Sequence, residues 1–410
     1  LPLAGFFAFL IDGFGLKAGV WPLGQLWLPD AHSIAPSPVS ALLSGVMLKT
    51  GIFGLMRTFL FMAPAGNPSF DGRTWGLVIA AVGAATLFIG TIQSMKQSDA
   101  KRLLAYSSIG QIGYIVLATG AVLYLGTAGE PALRALALVA VVGALFHVLN
   151  HAIFKGLLFL TSGSILYATG TKDLNKLGGL IRLMPVSAVV AGIASLSISG
   201  MPPFSGFSSK WTIISSSLLA GDATVVLVLF GIVALFTSAV TLACYVKFFG
   251  MAFTSSGSEW SVGKAIREVP ASMLAPKLVL TAVALIQGLF PVLSVGLVLK
   301  ALERSEGFLL AAGIAAPGRP LSASLLGIRL TGLNGLPQNA AAAPLVVLLV
   351  LGLGLALGAL LRKSAGSKEV EAPTWLCGYQ DLNDANRYTD RGMFAGLRSL
   401  FKFAGGKSGK

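Results

Sequence analysis

Long apolar runs that are each interrupted by a lysine dominate this sequence. Lys17, Lys49, Lys155 and Lys210 lie in stretches that are otherwise long and apolar enough to cross a lipid bilayer. An ammonium group near the middle of a bilayer costs about 2.5 to 3.5 kcal/mol even on a lenient insertion scale. Several such lysines in one chain therefore predict an ion path through the membrane-spanning segments.

The composition indicates a polytopic helical membrane protein. Of the 410 residues, 55% are hydrophobic and only 11% are charged, a balance that soluble domains do not show. The net charge of +14 does not favour nucleic-acid binding, because much of the Lys and Arg lies in short loops between apolar runs, where it sets topology. We expect a multi-pass protein of the inner (cytoplasmic) cell membrane, with the lipid bilayer and no nucleic acid among its partners.

The chain lacks the residues that a redox centre needs. Cys244 and Cys377 are too few for a disulfide framework or for the four thiolates of an iron–sulfur cluster, and there is no Gly-rich nucleotide-binding motif. We expect no catalytic, cofactor-binding or metal site, so that any redox centre belongs to a partner. Because the sequence begins at Leu1 inside an apolar segment without signal-peptide features, we also expect further sequence upstream.

Runs of roughly 20 apolar residues predict about nine membrane crossings. The runs cover residues 3–28, 38–62, 75–95, 103–125, 132–168, 183–219, 224–252, 277–299 and 342–361. The fifth and sixth runs are too long for one straight crossing, because ~36 residues of helix reach ~54 Å against a hydrocarbon core of ~30 Å. Each must protrude, tilt or break. The connection 300–338 reads as irregular or amphipathic.

The distribution of positive charge predicts the orientation of these spans. Lys and Arg cluster after the third, fifth, seventh and last runs, whereas the loops between carry little positive charge. The positive-inside rule places the basic loops and the basic tail in the cytoplasm. Lys247 lies toward the basic end of its run and is interpreted first as an anchor whose amine snorkels to the interface and second as a channel residue.

Two runs contain helix breakers at membrane depth. The breakers are Pro22 and Pro29 in the first run and Gly200, Pro202, Pro203 and Gly206 in the sixth. Backbone freed by such breaks must be satisfied by protein or water, so broken membrane helices line cavities and mark ion or substrate sites. Lys17 lies just before one break and Lys210 just after the other. The alternative is a proline kink whose lysine snorkels to the surface.

The fifth run carries the most specific polar pattern. His147, His151 and Lys155 are spaced by four residues, and because each step rotates only ~40° and rises ~6 Å, the three side chains form one stripe ~12 Å long. Neutral imidazole accepts on one nitrogen and donates on the other, which suits a proton relay. Structural hydrogen-bonding histidines, a zinc pair and haem ligation are the other readings. Zinc binding is disfavoured because no third ligand is obvious, and haem ligation would use histidines on facing helices.

Lys49 is surrounded by small residues, which permit close helix packing and leave room for water. It fits a hydrated path, but a lysine packed against a carbonyl group remains an alternative. Between Tyr106 and Tyr114 the fourth run contains several polar groups, which either extend such a path or hold helices together.

Seven sequence blocks occur in order between residue 17 and about residue 210. They are KAGVWPL at 17–23, WLPDAH at 27–32, APSPVSALL at 35–43, KTG at 49–51, KRLLAYSS at 101–108, NHAIFKGLLF at 150–159 and GMPPFSGF at 200–207. Together they resemble the antiporter-like subunits of respiratory complex I (NADH-quinone oxidoreductase), Mrp cation/proton antiporters and membrane-bound nickel–iron hydrogenases. The tail, with PTWLCGY at 373–379 and RYT at 387–389, is similar to hydrogenase-4 and formate-hydrogenlyase membrane subunits of the B type.

The resemblance implies two inverted five-helix repeats, each with a discontinuous helix. Residues 1–62 would end the first repeat, 63–255 would form the second, 256–361 would add further helices and a connecting loop, and 362–410 would form the cytoplasmic tail. The family pairs its first lysine with a glutamate on an earlier helix, which this sequence does not contain, so we expect that glutamate upstream.

The resemblance also implies which residues carry protons. The matching positions are Lys17 on the first broken helix, Lys49 on the next helix, His147, His151 and Lys155 on the central helix, and Lys210 as the exit residue. Lys210 is followed by Trp211, where some relatives carry an acid, so its exit role differs in detail.

The implied function is proton translocation coupled to electron transfer in partner subunits, by a subunit that has no redox site of its own. The partners would be other membrane subunits and a peripheral hydrogenase or dehydrogenase arm with iron–sulfur clusters. Two unit charges ~7 Å apart at an effective dielectric constant of ~20 interact by ~2.4 kcal/mol, so that one lysine can change its neighbour's protonation. The alternatives are an Mrp-type Na⁺/H⁺ antiporter subunit and a membrane anchor that conducts nothing.

Overall fold

The structure is a computed structural model that describes residues 3–63, 70–257, 265–314, 321–324, 327–330, 343–366, 389–390 and 395–401. The tail block at 373–379, with Cys377, lies outside the described residues. Its helices are α1 (Leu3–Ala18), α2 (Leu28–Ile34), α3 (Ser37–Leu42), α4 (Leu48–Met56), α5 (Gly72–Met95), α6 (Ala100–Gly126), α7 (Pro131–Thr169), α8 (Leu180–Leu183), α9 (Pro185–Ser199), α10 (Ser205–Leu218), α11 (Val225–Phe249), α12 (Ala271–Leu289), α13 (Pro291–Glu303), α14 (Glu306–Ala311), α15 (Pro344–Ser364) and α16 (Ala395–Leu400).

Short segments of other structure complete the chain. One-turn 3₁₀ helices occupy Leu23–Leu26 and Leu174–Lys176, and π-helical segments occupy Leu43–Met47, Arg57–Met62 and Gly250–Thr254. Two strands, β1 (Leu321–Ser324) and β2 (Gly327–Leu330), form an antiparallel hairpin within the connection after α14. The prediction of an all-α helix bundle is confirmed, and the inverted repeats stay a prediction.

Seven helical segments of the described chain are long and apolar enough to cross a membrane. They are Ser37–Met62, Gly72–Met95, Ala100–Gly126, Pro131–Thr169, Val225–Thr254, Ala271–Leu289 and Pro344–Ser364. A bent pair, Gly5–Ala18 with Leu23–Ile34, raises the number to eight. The predicted run that is not among these eight is the sixth, because it divides into α9 and α10, of 15 and 14 residues, and neither helix is long enough to be counted alone.

Helix α6 lies at the centre of the bundle. Its apolar window is entirely buried, and it packs along α5 on one side and against α7 on another. Helix α7 continues unbroken for 39 residues, which corresponds to ~58 Å, so of the two long runs only the sixth is broken. The ends of these helices have recognisable caps: Asp71 and Asp99 accept hydrogen bonds from the first turns of α5 and α6.

Both runs with predicted helix breakers leave the helical conformation at membrane depth. Helix α1 ends at Ala18, and the chain resumes in α2 after a 46° bend, with Pro22 before the 3₁₀ turn and Pro29 in the first turn of α2. Helix α9 ends at Gly200, whose φ of +79° lies in the left-handed region that favours glycine. The Pro202-Pro203 segment follows, and α10 begins at Ser205.

Gly206 allows α10 to approach the end of α9. A Cβ atom at this position would lie 1.8 Å from the carbonyl oxygen of Ser197, a contact that only backbone movement relieves. We predict that Gly206→Ala lowers the free energy of unfolding by about 1–3 kcal/mol or more, measured by thermal melting of the purified protein in detergent.

The matched control is Gly296→Ala in α13, where an added Cβ has no neighbour within 4 Å among the described residues. Alanine there should preserve or slightly raise stability, because it is the better helix former. Equal melting temperatures for the two variants would contradict the close approach of α9 and α10.

Candidate functional site

Three basic side chains form a buried stripe along α7. His147, His151 and Lys155 each have 0% exposure. The two imidazole rings stack with centroids 6.2 Å apart and planes inclined by only 4°. The predicted stripe is therefore present as a continuous row in the interior of the bundle, because the spacing of four residues keeps all three on one face.

Lys155 is held by α6 and α11. Its Nζ donates hydrogen bonds to the carbonyl oxygen of Leu104 at 2.7 Å, to Ser107 Oγ, and to the Tyr245 hydroxyl at 3.4 Å. Ser107 and Tyr245 are themselves 2.8 Å apart. Because these oxygens carry no formal charge, they solvate an ammonium group without fixing its proton as a carboxylate partner does.

His151 occupies the middle of the stripe with both ring nitrogens unsatisfied. Within the described part of the chain, neither its Nδ1 nor its Nε2 has a hydrogen-bond partner. Buried polar groups nearly always have a partner, either protein or ordered water. A neutral imidazole here has one donor and one acceptor available for water, which is the requirement for passing a proton along the row.

His147 connects the stripe to α10. Its Nδ1 lies 3.0 Å from Ser209 Oγ, and Asn150 Nδ2 donates to the same hydroxyl at 3.0 Å. The next residue, Lys210, is 2% exposed and donates from Nζ to the carbonyl oxygen of Ile198 at 2.8 Å. This carbonyl belongs to the last turn of α9, so the helix break supplies the acceptor that holds Lys210.

A chain of hydrogen bonds joins Lys155 to Lys49 on the other side. The half-buried Lys49 donates from Nζ to the carbonyl oxygen of Ser44. Ser44 Oγ lies 2.8 Å from Ser108 Oγ, and Ser108 donates to the carbonyl oxygen of Leu104 at 2.9 Å. Leu104 is the residue whose carbonyl accepts from Lys155. Five of the six residues predicted from the sequence therefore lie along one connected region.

Lys17 is the exception. Its side chain is exposed in the described chain, and its place in the proton path stays a prediction. It precedes the first helix break as predicted, but α1 forms one edge of the bundle, and the face that carries Lys17 is open.

The sequence reasoning missed His32. This residue of α2 has 0% exposure, and its ring stacks on Phe159 with centroids 4.6 Å apart. Neither of its ring nitrogens has a partner among the described residues, and the Phe159 ring also lies 6.0 Å from Lys155 Nζ. The sequence contains no spacing pattern that points to His32, because its contact with Phe159 depends on the bend between α1 and α2.

Lys247 was misread from the sequence as a snorkelling anchor. Its side chain is 0% exposed and forms an ion pair with Asp390, which is equally buried. Lys247 Nζ also donates to the carbonyl oxygens of Met95 and Gln97, both at 2.8 Å. The tail thus returns to the bundle and supplies the carboxylate, a contact between residues so far apart in the chain that local pattern does not reveal it.

No group of three His, Cys, Asp or Glu residues within the described ranges is arranged to hold a metal ion. The Tyr114 ring borders the ammonium of Lys210, with its centroid 4.8 Å from Nζ, and the Tyr114 hydroxyl lies 2.8 Å from Ser238 Oγ. The described interior contains a row of basic and hydroxyl groups.

The buried pair of Lys247 and Asp390 predicts a large effect of losing one partner. Asp390→Ala leaves a buried ammonium without its carboxylate, and we expect a loss of about 3–5 kcal/mol in stability, measured by thermal melting. The double variant Lys247→Met with Asp390→Leu should recover most of the loss, because apolar replacement of a buried pair is often neutral.

Asp222→Ala, in the exposed turn after α10, serves as the control for loss of one carboxylate. Its melting temperature should match that of the wild type. If Asp390→Ala has the same melting temperature as Asp222→Ala, the ion pair does not stabilise the attachment of the tail to the bundle.

The sequence matches one protein family over much of its length and is similar to several known proteins. Residues 3–237 match the model of the family described as NADH:quinone oxidoreductase/Mrp antiporter, transmembrane. Hydrogenase-4 component B of Escherichia coli (strain K12) is 40% identical over 280 residues, which cover 67% of this chain and 40% of that protein. Na(+)/H(+) antiporter subunit A1 of Staphylococcus aureus (strain JH9) is 35% identical over 291 residues, covering 69% of this chain and 35% of that protein.

A solved structure is similar over nearly the whole length. A chain of the membrane-bound sulfane sulfur reductase, described as an archaeal respiratory membrane complex, superposes with a TM-score of 0.76 at 28% identity. The match covers 97% of this chain and 60% of the other, so the chain spans well under two thirds of each of these three relatives. Because the family model matches more than half of its residues, this multi-pass membrane chain belongs to the NADH:quinone oxidoreductase/Mrp antiporter transmembrane family.

Proposed function

We propose that this chain translocates protons as an antiporter-like membrane subunit of an energy-converting redox complex related to hydrogenase-4, formate hydrogenlyase or complex I. In this proposal the chain has no redox chemistry of its own. Electron transfer in an iron–sulfur-containing partner arm drives the proton movement, and the complex lies in the cytoplasmic membrane. The similarity to hydrogenase-4 component B supports this choice of complex.

The observation that carries the proposal is the position of His151. Its two unsatisfied ring nitrogens lie in the fully buried row between Lys155, which leads through hydroxyl and carbonyl groups to Lys49, and His147, which leads through Ser209 to Lys210. A structural histidine in an apolar core uses at least one nitrogen in a protein hydrogen bond. The arrangement of His151 instead suits transfer through ordered water.

The proposed mechanism is electrostatic coupling between neighbouring lysines. A change in the partner complex alters the charge near Lys17 and Lys49, and this changes the proton affinity of Lys155 through space. Lys155 then releases its proton along His151 and His147 toward Lys210 and the outer face. Each buried lysine of this route is held by carbonyl or hydroxyl oxygens, which accept a hydrogen bond from the ammonium group and from the neutral amine alike.

The exposed position of Lys17 supports a protein neighbour at this face. An ammonium group that faces lipid at membrane depth is costly, and large apolar side chains of α1, including Phe6 and Phe9, are exposed on the same helix. We propose that another segment or subunit of the complex covers α1 and supplies the acidic partner that the family pairs with this lysine.

Lys155→Ala should abolish redox-driven proton transfer while the complex still assembles, because the variant removes the titratable group and leaves an uncharged cavity. The test purifies the complex through an affinity tag on this chain and identifies its redox subunits by mass spectrometry. Protons moved per electron are then measured in liposomes with the electron donor that those subunits oxidise. The control, Lys300→Ala at an exposed position of α13, should retain the wild-type ratio.

A normal ratio in Lys155→Ala would remove Lys155 from the mechanism. An unchanged ratio when Lys17, Lys49, Lys155 and Lys210 are all replaced by alanine would favour the membrane anchor that conducts nothing.

The second candidate function is that of an Mrp-type Na⁺/H⁺ antiporter subunit, favoured by the 35% identity to Na(+)/H(+) antiporter subunit A1 of Staphylococcus aureus. The same purification separates the two functions. Proton movement that requires Na⁺ and proceeds with no redox subunit present would replace the redox-coupled proposal.

A further inference from the structure

A second cluster of titratable groups lies outside the row described above. Lys277 of α12 has 0% exposure, and its Nζ donates hydrogen bonds to Ser164 Oγ at 2.7 Å and to Ser187 Oγ at 2.9 Å. Ser187 Oγ donates in turn to Glu268 Oε1 at 2.7 Å, and the Ser187 backbone N–H donates to Glu268 Oε2 at 3.0 Å. One hydroxyl therefore bridges a carboxylate and a buried amine.

The cluster lies toward the basic side of the bundle. Ser187 is the third residue of α9, directly after the loop that carries Lys172, Lys176 and Arg182. Glu268 precedes α12 and is only partly buried, whereas Lys277 lies six residues into this helix, or ~9 Å from its start. A partly exposed carboxylate at the membrane edge thus leads inward to a fully buried amine.

The surroundings of Glu268 favour the charged form of its carboxyl group. Burial works to raise its pKa, but hydrogen bonds from Ser187 and from the Val269 backbone N–H, together with the nearby positive charge of Lys277, hold the pKa below its ordinary value. In this network the Lys277 amine donates to the Ser187 hydroxyl, and the hydroxyl donates to Glu268.

One face of α12 leads from Lys277 to the broken helix that holds Lys210. The buried residues Lys277, Thr281, Ala284 and Gly288 lie within about 60° around the helix and extend ~16 Å along it. At the far end, a Cβ atom on Gly288 would lie 2.8 Å from the backbone N of Ser205, the first residue of α10. Small and hydroxyl side chains along this face let α12 approach the neighbouring helices closely.

Helix α9 forms the other wall. Ser187, Ser195 and Ile198 fall within a sector of roughly 80° on this helix, and Ile198 is the residue whose carbonyl accepts from Lys210. Ser195 Oγ is buried and has no partner within the described chain. A buried hydroxyl without a protein partner is a site for ordered water.

We propose that Glu268 and Lys277, bridged by Ser187, form a proton-uptake site that supplies Lys210 from the basic side of the bundle along the seam between α9 and α12. Both residues lie beyond residues 3–237, the part that matches the family model. The inference rests on the proposed function, because it adds a supply route to the same exit lysine.

The step balances within the cluster. A proton taken from solvent converts the Glu268 carboxylate to the acid. The acid O–H bond then breaks as its proton passes to Ser187 Oγ, while the Ser187 hydroxyl hydrogen passes to a neutral Lys277 amine and forms an N–H bond. The net change is one proton moved from carboxyl to amine, and the hydroxyl is regenerated. Lys277 later releases this proton to water in the seam.

The test compares Lys277→Met with Lys277→Arg in the purified complex in liposomes. Methionine removes the titratable amine at similar volume, whereas arginine keeps a positive charge and N–H donors but does not release a proton. We expect both variants to lose the part of the protons moved per electron that enters through this route, with the Lys155 route left in place and a normal yield of assembled complex. Glu268→Gln should act in the same direction, and Lys300→Met and Glu303→Gln on α13 are the exposed controls.

A wild-type ratio in Lys277→Met would overturn the inference. A wild-type ratio in Lys277→Arg together with a low ratio in Lys277→Met would also overturn it. In that case the cluster needs only a positive charge at this position and not a group that releases a proton. Lys155→Ala, measured in parallel, separates the two proposals. Loss of transport in Lys155→Ala with normal transport in Lys277→Met rejects only the uptake site, whereas normal transport in Lys155→Ala rejects the proposed function.

Discussion

The structure depends on how buried ammonium groups are solvated by the protein. Lys155 and Lys210 each donate to a helix carbonyl oxygen, of Leu104 and Ile198, and Lys49 donates to the carbonyl oxygen of Ser44. Two of these three acceptors lie at irregular backbone: Ile198 is in the last turn of α9 before the break, and Ser44 is in a π-helical segment. Because an unsolvated ammonium in a membrane interior is prohibitive, the irregular backbone and the lysines stabilise one another.

The kind of acceptor separates two roles for buried lysine in this chain. Lys247 has a carboxylate partner and joins the tail to the bundle, which suits a fixed charge. Among the described residues, Lys155 and Lys210 donate only to neutral oxygens, and without a carboxylate partner their ammonium form is not fixed as that of Lys247 is. Lys277 is intermediate, because a hydroxyl separates it from Glu268. This gradation is the physical basis on which we assign proton transfer to some lysines and structural roles to others.

Much of the fold and part of the site followed from local pattern. Apolar runs located nearly every spanning helix, glycine and proline marked both breaks, and a spacing of four residues placed His147, His151 and Lys155 on one face. These features depend on the period of the helix and on backbone chemistry, which act over a few residues. The burial of Lys247 and Lys277, the open position of Lys17 and the stacking of His32 on Phe159 depend on which helices are neighbours. The helices of a membrane bundle are similarly apolar except at a few polar residues, so hydropathy does not show which helices pack against one another.

The sequence by itself determined that this chain is a multi-pass helical membrane protein, where its helices break and which basic residues share a face of α7. The blocks between residues 17 and 210 also determined its family. Only the tertiary structure decided which acceptors each lysine meets, that Ser209 joins His147 to α10, and that Asp390 returns to pair with Lys247. The reason is that a helix fixes the angular position of a side chain through local hydrogen bonds, whereas the partner across a helix–helix contact is fixed by packing of distant segments.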